Sequence, residues 1–122
     1  DIDETITHAP EFFAALTRTL PAATVTVITC RDDAADARAT LERAGVRCDR
    51  LIVSSDPELG CPDGMPLHVW KAGLVARLHV DILFEDSPEV IALVPPTTRA
   101  FLCCDELIVR WLRDALRGGR DV

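Results

Sequence analysis

The sequence predicts a doubly wound α/β fold, a three-layer α/β sandwich built on a Rossmann-like parallel sheet. Three observations point to it. Short strand-like runs alternate with helical segments from end to end, the pattern of strand–helix–strand units with right-handed crossovers. The runs are apolar on both faces, as strands covered by helices on each side must be. Acids and hydroxyls collect where those runs end, and the carboxyl edge of such a sheet is where ligands bind.

The elements follow in order. "PEFFAALTRTL" carries Phe12, Phe13, Leu16 and Leu20 at helical spacing, with Pro10 suited to a first turn. "TVTVIT" reads as a buried strand. Asp32 or Asp33 can cap the helix "AADARATLERAG", which Gly45 ends. "RLIVSS" is a second strand. "DPELGCPDGMP", with three prolines and two glycines, is loop. "LHVWKAGLVARL" is helical with a weak point at Gly73, and "DILFED" is a third strand. Ser87 is placed to cap the helix "PEVIALV", "RAFLCC" is a fourth strand, and "DELIVRWLRDALRGG" is an amphipathic closing helix fraying at Gly118 and Gly119, with Trp111 and Leu112 in the core.

At 122 residues and 48% apolar content the chain supports one domain, residues 1–122, with a single core. No run is long enough to span a membrane and no signal-peptide pattern is present. The net charge of −7 disfavours a nucleic-acid partner unless Arg31, Arg38, Arg47 and Arg50 form a local patch. Five cysteines without a CxxC spacing suit reduced thiols in a cytoplasmic protein, with Cys103 and Cys104 as small hydrophobes.

The opening "DIDETIT" places Asp1, Asp3 and Glu4 within four residues, and such acids in a cleft call for a cation. Thr29 closes the first strand, Glu85 and Asp86 close the third, and Lys71, the only lysine, lies in the helix between. Parallel strands bring these ends to one edge. That set suits phosphoryl transfer: one carboxylate attacks phosphorus, a second gives and takes protons, and hydroxyl and ammonium hold phosphoryl oxygens. Arg31, beside Thr29, is a further phosphate contact.

"DIDETIT", "VTVITCR", Lys71 and "DILFEDSPEVI" resemble, in order and over nearly the whole chain, the four motifs of the haloacid dehalogenase-like superfamily of phosphohydrolases. The DxDxT pattern of the first is the most specific. The resemblance implies a magnesium-dependent phosphatase working through an aspartyl-phosphate. Asp1 would be the nucleophile and Asp3 the acid–base, and Thr29 and Lys71 would bind the phosphoryl group. Asp1, Asp3 and Asp86 would hold the magnesium, supported by Glu85, with Asp3 also offering its backbone carbonyl. It also implies an apolar strand leading into Asp1, flanked by "TVTVIT" and "DILFED", so residues upstream of Asp1 are expected.

Phospho-receiver domains share these residue types in another order. A degenerate member kept as a binding scaffold is the alternative function. No cap domain fits between Thr5 and Thr29 or between Thr29 and Lys71, so the site is expected to be open. A phosphorylated substrate, small molecule or macromolecule, would reach it. A large partner, or the loop "DPELGCPDGMP" with a second subunit of a homodimer, would cover it.

Overall fold

A computed structural model describes residues 1–103 and 106–120. After a 3-10 turn at Ile6–His8 come α1 (Pro10–Thr19), β1 (Thr26–Ile28), α2 (Ala34–Ala44), β2 (Arg50–Ile52) and α3 (Leu67–Arg77). Then follow β3 (Ile82–Glu85), α4 (Pro88–Ile91), β4 (Arg99–Leu102) and α5 (Glu106–Arg120). Elements alternate as expected, but each strand is shorter than the run expected to form it. Cys104, expected at the end of the fourth strand, lies outside the described residues.

Local signals account for most boundaries. Pro10 opens α1. Asp33 caps α2 by accepting from the Asp36 N–H at 3.1 Å, and Gly45 ends it at φ 71°, where a Cβ would be strained. Two expectations fail. The Ser87 hydroxyl does not cap α4 but donates to Glu89 at 2.7 Å, so Pro88 alone marks that start. The last helix continues through Gly118 and Gly119 to Arg120.

The strands are parallel but form two sheets rather than one. β1 pairs with β2, Thr26 opposite Arg50 and Ile28 opposite Ile52, and β3 pairs with β4, Ile82 opposite Arg99 and Glu85 opposite Leu102. A single continuous sheet at the centre of a three-layer sandwich is therefore not what the described residues build. No ladder joins β1 to β3. Val25 and Thr29 direct their peptide groups to β2, so strand alternation turns those of Thr26 and Ile28 the other way. They face a cavity of about 760 Å³ whose far wall is Val80–Glu85.

Each face of the β1–β2 sheet is covered. Val27 packs with Phe13, Ala37 and Leu41 from α1 and α2. Ile28 and Ile52 pack on the other side with Trp70, Leu74 and Val75 of α3. Phe84 of β3 ties the second sheet to α1, its ring 5.4 Å from Phe13 and edge-on to it. Ile2 and Ile6, at 0% and 5% exposure, join the first cluster. The apolar residues between the opening acids thus anchor that segment. One expectation on α5 fails: Trp111, expected in the core, is 59% exposed. No helix among the described residues is long and apolar enough to cross a membrane.

The Pro- and Gly-rich loop is fastened, not free. Trp70 Nε1 donates to the Leu59 carbonyl at 2.8 Å, and Leu59 packs against the α3 cluster. A Cβ on Gly60 would press on the Asp56 carbonyl and lie 2.7 Å from the Ser54 carbonyl. Gly60→Ala is therefore expected to cost about 1–3 kcal/mol. Gly73→Ala, in the interior of α3 with open space around the new methyl, should add about 0.5–1 kcal/mol. Urea melts of the two variants should shift in opposite directions, and a neutral Gly60→Ala would mean that the loop relaxes.

Candidate active site

The opening segment is folded back on itself. The Thr7 N–H donates to the Ile2 carbonyl at 3.0 Å, and Glu4 takes a left-handed conformation at φ 58°, its N–H bonded to Thr7 Oγ1 at 3.1 Å. This reversal returns Thr5, 2% exposed, to the interior. There its hydroxyl donates to Asp86 Oδ1 at 3.3 Å, across 81 residues of sequence.

Lys71 points inward. The residue is 4% exposed, and its Nζ lies 3.0 Å from Asp1 Oδ2 and 3.2 Å from Glu85 Oε2. It lies on the buried face of α3 with Trp70, Ala72, Leu74 and Val75, so it does not reach solvent. Burying an ammonium requires opposed charge and hydrogen bonds, and two carboxylates supply both. Glu85, 2% exposed, also accepts the Ser87 N–H at 3.3 Å.

Carboxylate oxygens of Asp1, Glu85 and Asp86 lie within 4.8 Å of one another. Three carboxylates thus meet one ammonium, an excess of negative charge made of hard oxygen donors that suit magnesium.

Asp3 is not part of that cluster. Its carboxylate turns away and is forked by Arg31, Nε to Oδ2 at 3.0 Å and Nη2 to Oδ1 at 2.8 Å. The remaining guanidinium nitrogen, Nη1, donates to Asp36 Oδ2 at 3.0 Å and Thr40 Oγ1 at 2.7 Å. The Arg31 hydrogen bonds, with its charge, hold the Asp3 carboxyl below the usual range. A depressed carboxyl contributes stability above its ordinary titration range and loses it as pH falls.

Two expectations are corrected by this fork. The carboxylates brought together are Asp1, Glu85 and Asp86, not the side chains of Asp1, Asp3 and Asp86. The Arg31 guanidinium, expected on phosphate, is engaged by Asp3, Asp36 and Thr40. Thr29, fully buried at the end of β1, donates its N–H to the Ile52 carbonyl at 3.0 Å and accepts the Arg31 N–H on Oγ1 at 3.2 Å. Sequence reasoning assigned no role to Thr5, although it stands at the hydroxyl position of the DxDxT pattern. Comparison with protein-family models, curated proteins and solved structures found no match.

Proposed function

We infer that the chain is a magnesium-dependent phosphomonoester hydrolase of the haloacid dehalogenase-like kind. The observation that carries this reading is the buried Lys71 between Asp1 and Glu85, with Asp86 alongside and held by Thr5. Residues from the two ends of the chain converge on a charged interior that core packing alone would disfavour.

In this reading Asp1 attacks phosphorus and the phosphorus–oxygen ester bond breaks, leaving an aspartyl-phosphate on Asp1. Asp3 protonates the departing oxygen, then deprotonates the water that releases inorganic phosphate and restores Asp1. Lys71 and Thr29 hold phosphoryl oxygens. Asp1 and Asp86, with the Asp3 carbonyl, would hold magnesium, which when bound offsets the repulsion between carboxylate and phosphate. Glu85 fixes Lys71 and orders the turn after β3. The same reading puts an apolar strand ahead of Asp1 in the cavity between β1 and β3. That strand would join the two sheets into the middle layer of a three-layer sandwich.

Between Thr5 and Thr29 lie a short turn, α1 and β1, and between Thr29 and Lys71 lie α2, β2 and the fastened loop. Neither segment holds an inserted domain, so the site belongs to an uncapped enzyme open to a large phosphorylated substrate or to small ones. The acidic net charge of −7 weighs against nucleic acid. One observation favours the second reading, a binding scaffold of the same fold: Asp3, the acid–base residue, is occupied by Arg31.

Hydrolysis of an aryl phosphate decides between the two. Turnover should require magnesium and vanish on chelation. Millimolar magnesium should also raise the melting temperature, because it relieves repulsion among Asp1, Glu85 and Asp86. No turnover with an unchanged melting temperature would remove the hydrolase reading.

A further inference from the structure

We propose that the Arg31–Asp3 fork is a latch on the acid–base carboxylate, opened by the incoming phosphoryl group itself. The inference rests on the hydrolase reading and adds a positioning residue to it. Both oxygens of Asp3 accept from one guanidinium, at 3.0 and 2.8 Å. A carboxylate so engaged keeps one lone pair free on each oxygen, but it is held ionised beside the guanidinium and so cannot carry the proton a leaving group needs. Asp3 is accordingly set apart from the three carboxylates gathered around Lys71. For Asp3 to act, the fork must part.

The surroundings of Arg31 suit such an exchange. Its Nη1 is held on α2 by Asp36 and Thr40 at 3.0 and 2.7 Å, so the guanidinium keeps an anchor when Asp3 leaves. Its own N–H donates at 3.2 Å to Thr29 Oγ1, the hydroxyl assigned to phosphoryl oxygens. The fork faces solvent, with side-chain exposures of 22% for Arg31 and 57% for Asp3, and exposed pairs are cheap to break. A phosphoryl dianion offers guanidinium the same two-point geometry with more charge. Once Arg31 turns to the phosphoryl group, Asp3 takes a proton from solvent. It gives that proton to the ester oxygen as the bond to phosphorus breaks, and takes one back from the attacking water.

The test is a titration of the ¹⁵N-labelled chain with inorganic phosphate in the presence of magnesium. The Thr29 amide reports phosphate arriving, and the Arg31 Nε–Hε resonance reports the fork. Both should shift and saturate at one phosphate concentration. If the Thr29 amide stays still, the phosphoryl site is wrong and the latch falls with it. If Thr29 shifts and Arg31 Nε–Hε does not, the latch is wrong while the hydrolase reading stands. Kinetics supply a second readout. Arg31→Ala should raise KM roughly tenfold, with kcat kept within about threefold and KM partly restored by millimolar guanidinium ion. A fall in kcat at unchanged KM would make Arg31 a brace for active Asp3 and overturn the latch.

Discussion

Asp1→Asn is expected to abolish phosphate-ester hydrolysis, lowering kcat by about four decades or more, the scale seen when a covalent nucleophile is lost. An asparagine oxygen can still accept the Ile2 N–H that Asp1 Oδ1 accepts at 2.8 Å, and Lys71 keeps Glu85 at 3.2 Å. The variant should therefore fold, while losing the nucleophile together with one charged ligand of the proposed magnesium site and one ion pair to Lys71. Acid-quenched reactions with radiolabelled substrate should show phosphate on the parent chain and none on the variant. Activity within tenfold of the parent would show that Asp1 is not the nucleophile.

Lys71→Met should damage fold and activity together. The side chains of Asp1 and Glu85 are 12% and 3% exposed, and without the ammonium they confront each other in a poorly hydrated site. Removing one partner from a buried ionic cluster costs about 3–5 kcal/mol. In a domain of this size that lowers the melting temperature by more than about 10 °C. A Glu85→Gln change added to Lys71→Met should recover part of the loss, because it removes one of the two facing charges. A melting temperature unchanged by Lys71→Met would mean that Lys71 reaches water, contrary to its burial.

The residues that end strands were legible in the sequence because two local signals coincide there. A β-branched run stops at Thr29 and an apolar one, Ile82 to Phe84, stops at Glu85 and Asp86, so direction and edge followed from alternation alone. Side-chain direction did not. Lys71 lies on a helix with apolar residues all around, and only Glu85 and Asp1, 14 and 70 positions away in sequence, decide that it turns inward. Asp3 misled for a related reason. Its spacing from Asp1 suggests a shared face, but Glu4 at φ 58° reverses the chain and Arg31, 28 residues on, captures the carboxylate. Pairing of strands was the third gap. Local patterns specify strands, whereas the separation of β1 from β3 depends on what lies between them. The last helix repeats that lesson: its spacing makes a stripe, and nothing local says what Trp111 should pack against.

Lys71 is the chain's only lysine, and its 4% exposure has a consequence beyond phosphate chemistry. Acetylation or ubiquitin-type conjugation at lysine, tryptic cleavage after lysine and lysine-directed labelling all need a side-chain amine within reach. The folded surface of this chain presents none. Each of those modifications must wait for the interior to open, so lysine acylation marks molecules that have come apart at Asp1 and Glu85 rather than intact ones.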